Sequence, residues 1–199
     1  STGDQPVRDT KKTILYAPTD RPALSSIDMI GADVLELIMR GRDDLELILK
    51  PHPRHCEQPP TWLLAWKELA MRHAHVTLID DPAYDAAACL IRADLLITDA
   101  SSLMLEYLAL DRPMVLITNP DHFGDPTHFD AAGFEWTWRN MGEEVRDVEL
   151  LSEAVNRALD NPNAKAAIRA EYRHHLFGDL TDGCAAVRIV QHITEIGVD

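Results

Sequence analysis

Short apolar runs alternate along this chain with stretches in which apolar residues recur every three to four positions. Thr13, Ile14, Leu15, Tyr16 and Ala17 form a partly β-branched run closed by Pro18, which predicts a buried strand ending in a loop. Ser25 and Ser26 are candidate caps for a helix carrying Ile30, Val34, Leu37 and Ile38, with Gly41 as its stop. Leu45 to Leu49 reads as the next strand. Pro59, Pro60 and Thr61 open a helix with Leu63, Leu64, Trp66 and Leu69 in register, and a strand over 76–79 follows. A short helix over 82–92, a strand over 94–98, a helix over 101–110 and a strand over 113–117 complete the series. Repeated strand–helix winding predicts an α/β fold, a Rossmann-like doubly wound parallel sheet.

After Thr118 the pattern breaks into a polar and aromatic stretch over 119–147, and a connection of that length is expected to be functional. The remainder reads as three helices. One spans 150–159, one opens at Pro162 and runs through His175, and one is capped by Thr181 and Asp182 and runs through Ile196. Residues 1–12 are expected to be a flexible polar lead, and 13–196 a single nucleotide-donor-binding domain. The opening Ser1-Thr2-Gly3-Asp4, without methionine, suggests a piece of a longer protein.

With 199 residues and 46% hydrophobic content the chain can bury a substantial core. Acidic residues outnumber basic ones by 33 to 19, and the resulting charge of -14 repels polynucleotides, so no nucleic acid partner is expected. Cys56, Cys89 and Cys184 lie far apart and form no CxxC pair, which fits a reducing cytoplasm. No apolar run approaches the roughly 20 residues that span a bilayer.

In an open parallel sheet ligands gather beyond the carboxyl ends of the strands, so the residues just after each strand carry the chemistry. Asp99, Ser101 and Ser102 join a strand to a helix and present hydroxyls and backbone N–H groups where a phosphate can bind, although Ser101 could equally be a plain helix cap. Glu106 stands four residues after Ser102, on the same helix face, where a carboxylate could accept the hydroxyls of a ribose or simply face solvent. Lys50 and His52 belong to a basic cluster after the second strand. The prolines flanking His52 hold the imidazole where it could bond a phosphate or protonate a leaving oxygen, a rigid turn being the alternative. Arg21, after the first strand, adds a guanidinium suited to phosphate. Asp80, Asp81, Pro82 and Tyr84 follow the third strand and could lie near a base or ribose, but a helix-entry turn is the favoured reading. His122, His128, Asp121, Asp125 and Asp130 lack the spacing of a known metal site, so neither a metal nor another cofactor is expected. A serine hydrolase is disfavoured because no Gly-x-Ser-x-Gly surrounds Ser101 or Ser102.

Residues 14–19, 49–53, 93–102 and 108–113, in that order and spacing, resemble the CDP-glycerol glycerophosphotransferase family of teichoic-acid-type polymerases, and 182–190 is similar to its closing segment. The resemblance implies a GT-B-like architecture of two Rossmann-like halves, of which this chain would be the C-terminal, donor-binding one. It implies transfer of a polyol phosphate from CDP-glycerol or a similar donor to the hydroxyl of a lipid-linked or polysaccharide acceptor, in cell-envelope or capsule polymer synthesis. It also implies an N-terminal acceptor-binding domain and work in the cytoplasm, peripherally at the inner face of the plasma membrane. By this resemblance His52 would be catalytic, Ser101 and Ser102 would hold the pyrophosphate, Glu106 would anchor ribose, and Arg21 would be a secondary phosphate contact. Competing readings are a UDP-sugar enzyme, such as a UDP-N-acetylglucosamine 2-epimerase or glycosyltransferase, and a non-catalytic nucleotide-binding module.

Overall fold

A computed structural model describes residues 11–57, 59–124, 127 and 129–196. Residues 1–10, most of the expected polar lead, lie outside the described residues. Six strands, β1 (Lys12–Tyr16), β2 (Leu45–Leu49), β3 (Val76–Leu78), β4 (Leu95–Thr98), β5 (Met114–Ile117) and β6 (Glu143–Val145), form one sheet in the order β3-β2-β1-β4-β5-β6. Every pairing is parallel, with Ile14 opposite Leu47 on one side and Leu95 on the other. The strand order reverses between β1 and β4, and a crevice opens at such a point beyond the strands' carboxyl ends.

Both faces of the sheet are covered, as near-continuous apolar strands require. Ile14, Tyr16, Leu47, Leu49, Leu95 and Ile97 share one face, packed in a core with α1 (Ala32–Met39), α3 (Thr61–Arg72) and α7 (Leu151–Asp160). Leu15, Ile48, Leu96 and Leu116 take the other, packed in a core with α4 (Ala86–Arg92), α5 (Leu103–Leu108) and α8 (Ala166–Phe177). The side-chain period of two along each strand makes this division. A short helix, α2 (Pro53–Glu57), follows β2. Another, α6 (Phe134–Thr137), precedes β6, and α9 (Ala185–Ile196) ends the described chain.

Several boundaries differ from the pattern-based expectation: the helix expected to open at Pro162 begins at Ala166, and the one expected after a Thr181–Asp182 cap begins at Ala185. The helix expected from Ser25 and Ser26 begins only at Ala32, because Ser26 bonds Tyr16 and Asp99 instead of capping. The helix expected over 101–110 is regular only from Leu103 to Leu108. It unwinds through three-residue bonds into Asp111, which sits at φ 50° and lies 3.0 Å from the buried guanidinium of Arg169. The helix expected over 82–92 begins at Ala86, capped by the Asp85 carboxylate on the Ala87 N–H. The segment 119–147, read as loop, contains strand β6. Gly142 leads into it because a Cβ there would come 2.7 Å from the Met114 carbonyl.

That segment is also anchored by aromatic stacking. Trp138 lies flat on Phe134 and on Tyr172 of α8, with ring centroids 4.0 and 4.4 Å apart. Sequence periodicity has no signal for such packing, since α6 is a single turn.

Candidate functional site

The loop after β1 shapes one wall of the crevice, and a buried carboxylate holds it. Asp99, at the end of β4, is 0% exposed. Its oxygens accept the Thr19 N–H at 2.9 Å, the Ser26 N–H at 2.8 Å and the Ser26 hydroxyl at 2.9 Å. Because Ser26 spends its only hydroxyl proton on Asp99, Tyr16 donates to Ser26 Oγ, completing a buried chain. Asn119, after β5, ties the same loop down by donating to the Ser25 carbonyl at 2.7 Å. Burial dominates the Asp99 environment and pushes its carboxyl up to about 6, against the lowering effect of the Ser26 and Thr19 bonds.

Beyond these strand ends lies a cleft of about 310 Å³, lined by residues that follow β1 (Pro18, Thr19), β2 (Lys50 to Pro53), β3 (Tyr84, Ala86) and β4 (Ala100 to Leu103). The structure therefore brings Lys50, His52, Ser101 and Ser102 together at one opening, from two separate sequence segments. Asp99, expected at the donor itself, does not line the cleft, and its observed bonds are all to the loop after β1. Glu106 is exposed on α5 and Arg21 sits beside Asp20 at 3.9 Å, and neither lines the cleft. Ser101 Oγ accepts the Leu103 N–H at 3.3 Å, so part of its role is a local turn, while Ser102 is exposed and makes no side-chain cap.

Lys50 is the most informative of these residues. It is 4% exposed, yet its ammonium reaches only the carbonyls of Pro51 at 3.4 Å and Asp81 at 3.5 Å, with no carboxylate partner among the described residues. A buried cation without a counter-ion is costly, and an anion entering the cleft would supply one.

His52 faces the same opening. Its Nδ1 accepts the Arg54 N–H at 3.3 Å, which leaves the proton of the neutral ring on Nε2 as a donor. Partial burial lowers its pKa, assisted by Arg54, Lys50 and Arg21 and opposed by Asp20, so the ring is neutral near pH 7. Asp20 is the hub of this edge. One oxygen pairs with Arg54 at 2.8 Å and stands 3.9 Å from His52 Nδ1. Nothing in the local sequence marks Asp20; its position beside Arg54 and His52 does. Tyr84, read as part of a turn, also lines the cleft, while the Asp81 carboxylate does form the expected turn by accepting the Ala83 N–H.

The histidines and acids of the long segment go elsewhere. His122 Nδ1 bonds the Asn119 carbonyl at 2.6 Å and its ring stacks on Trp136. Asp130 holds the Ala132 N–H. Asp125 and His128 lie outside the described residues.

Among solved structures the chain is similar to the wall teichoic acid polymerase TagF, with a TM-score of 0.68 and 19% identity over 94% of this chain and 44% of that one. A TagF crystal soaked with CDPG matches at a TM-score of 0.60 and 24% identity, again over 94% of this chain and 42% of that one. A Listeria monocytogenes protein described as a UDP-N-acetylglucosamine 2-epimerase matches at 0.58 and 20%, covering 94% of this chain and 45% of its own. At these identities the likeness concerns the fold, a Rossmann-like half of a GT-B-like architecture, and the chain spans less than half the length of each structure. No curated protein matches the chain. A family model described as CDP-Glycerol:Poly(glycerophosphate) glycerophosphotransferase matches residues 3–195, and the protein belongs to that family of transferases.

Proposed function

We propose that this chain is the donor-binding domain, 13–196, of a glycerophosphotransferase, binding CDP-glycerol or a closely related CDP-activated polyol with its pyrophosphate against Lys50, Ser101 and Ser102. The observation that carries this reading is the buried ammonium of Lys50, without a carboxylate partner among the described residues, inside a cleft at the strand-order reversal. Family membership and the TagF crystal soaked with CDPG support a CDP-activated donor. Tyr84 lines the same cleft, and in this reading its ring packs against the base.

In this reading the transferred phosphate is attacked by an acceptor hydroxyl, the P–O bond to CMP breaks, and CMP leaves. Phosphoryl transfer needs placement and charge stabilisation more than covalent assistance. Lys50 neutralises the diphosphate, the hydroxyls of Ser101 and Ser102 bond its oxygens, and the Nε2–H of His52 donates to the leaving phosphate. A bound dianion favours protonation of His52, turning a donor into an acid as charge builds on CMP. The acceptor, lipid-linked or polysaccharide, and its activating base belong to an N-terminal half and to the membrane face in this proposal.

Calorimetry on the chain with CDP-glycerol and with UDP-N-acetylglucosamine tests the donor. Tighter binding of CDP-glycerol by about tenfold or more is expected, and a preference for the UDP-sugar would replace this reading with the epimerase-like one. Replacing Ser101 and Ser102 together by alanine is expected to cost about 1.5–3 kcal/mol per charge-assisted bond lost, and unchanged affinity would remove them from the site. In the full-length enzyme His52→Ala is expected to lower the transfer rate by about 10²–10⁴-fold while the thermal midpoint stays near that of the parent. A collapse of folding instead would reduce His52 to a turn residue, and tight donor binding without turnover in the unaltered enzyme would make the domain a non-catalytic module.

A further inference from the structure

Asp20 stands in the loop after β1 with its side chain 12% exposed, and two basic groups face one of its oxygens, Oδ2. The Arg54 guanidinium donates to Oδ2 at 2.8 Å, while His52 Nδ1 stands 3.9 Å from the same atom, too far for a hydrogen bond. Nδ1 instead accepts the Arg54 backbone N–H, a long bond at 3.3 Å. Arg54 holds Asp20 loosely, since its side chain is 63% exposed and one N–H···O bond joins it to the carboxylate. The other groups near the His52 ring are Lys50 at the end of β2, Arg21 beside Asp20, and His55 of α2, whose ring is 6.4 Å away. Asp20 supplies the carboxylate that favours a charge on this imidazole, against Arg54, Lys50 and Arg21.

We infer that Asp20 is a positioning residue for His52 and that Arg54 keeps it in reserve: an anion in the cleft draws the Arg54 guanidinium off Oδ2, and the freed oxygen accepts Nδ1–H of the imidazolium. This role rests on His52 acting as the acid of the proposed transfer. A guanidinium that makes one bond to a carboxylate gains by moving to a diphosphate that accepts two in parallel. Arg54 directly follows Pro53, which lines the cleft, so both anions compete for one side chain at its rim. One cation leaves Asp20 as another forms beside it, and no charge is stranded. Nδ1 takes a proton from solvent as the dianion binds, and Nε2–H passes to the leaving phosphate oxygen as the P–O bond to CMP breaks. The ring is then neutral with its proton on Nδ1, bonded to Asp20, and solvent exchange restores the Nε2–H form once CMP has left. Asp20 stays ionised throughout: despite burial its carboxyl lies below the usual range, because His52, Arg54 and Arg21 surround it.

NMR titration of the His52 ring on the chain, the signal identified by its loss in His52→Gln, compares the parent, Asp20→Asn, Arg54→Gln and the double variant, each free and with CDP. Asp20→Asn keeps the side chain's shape, and no backbone N–H among the described residues bonds the carboxylate, so the fold should be retained. Without CDP the His52 midpoint is expected to rise by about 0.5–1 pH unit in Arg54→Gln, and by about half of that or less when Asp20→Asn is also present. A full rise in the double variant would mean that Arg54 acts by direct repulsion, and the reserve role falls. With CDP the midpoint should rise by about one pH unit more in the parent than in Asp20→Asn, about tenfold in proton affinity. In the full-length enzyme kcat should decline with rising pH about one unit earlier in Asp20→Asn, with the donor KM changed by about twofold or less. Equal midpoints in the parent and Asp20→Asn, with CDP still shifting the Lys50 and Ser101 amides, overturn the Asp20 role and leave the donor reading standing. If CDP leaves those amides unmoved, the donor reading fails, and the CDP-free comparison still decides whether Asp20 and Arg54 set the charge of His52.

Discussion

Replacing Asp99 by alanine is expected to destabilise the domain by about 3–5 kcal/mol, because it leaves the N–H groups of Thr19 and Ser26 without their acceptor and opens a void at the end of β4. Denaturant unfolding measures it, and a loss below about 1 kcal/mol would show that water replaces the carboxylate without strain. The effect should also depend on pH in a direction that ordinary buried ion pairs do not share. The folded carboxyl is raised from 3.8 to about 6, so between those values the folded protein binds a proton that the unfolded chain has released. The contribution of Asp99 is therefore largest at low pH and declines as pH rises through about 6. The penalty of Asp99→Ala should accordingly be about 1 kcal/mol larger at pH 5 than at pH 8. A penalty that shrinks on acidification would mean that the three donors outweigh burial, and that Asp99 titrates low. Because Thr19 lines the cleft, donor affinity should fall along with stability.

Lys50→Met is expected to do the opposite to stability while removing most of the donor's hold. The methionine keeps a buried apolar stem and deletes a charge that no carboxylate among the described residues balances, so the melting temperature should stay level or rise. CDP-glycerol binding should weaken by about 2–3 kcal/mol, roughly 30–150-fold, the size of a buried charge-assisted contact to phosphate. Calorimetry and thermal melts on the same variant read both effects. Unchanged affinity would place the pyrophosphate elsewhere, and a large drop in melting temperature would mean that the ammonium's carbonyl contacts are structural. Stability and binding moving in opposite directions is the signature of a residue kept for its ligand.

Asp20 holds the edge beside His52: Arg54 pairs with its carboxylate at 2.8 Å, and His52 Nδ1 stands 3.9 Å from the same oxygen.

Apolar run length and period were enough to read the winding of β1 to β5 and the identity of most helices, because a strand buried on both faces leaves a continuous apolar stretch whatever surrounds it. That residues after β2 and β4 share a cleft was legible for the same reason: once a parallel sheet is inferred, its crevice lies at the carboxyl ends of the strands. Three things were decided only in three dimensions. Strand β6 has two glutamates in three residues and no periodic signal, and it exists because Gly142 allows it to approach β5 and because Trp138 stacks on Tyr172 thirty-four residues away. Ser26 and Asp99 read locally as a helix cap and a phosphate contact, yet they bond each other across 73 positions, since a buried carboxylate takes the nearest donors in space and not in sequence. By sequence Lys50 is one member of a basic cluster, and its distinction is that no carboxylate among the described residues pairs with it, which depends on how β2, β3 and β4 end side by side. Local pattern determines which segments become strands and helices because burial of a face is a property of neighbours in the chain. Which of the candidate residues share one cleft was decided by packing, because desolvation and charge pairing are properties of neighbours in space.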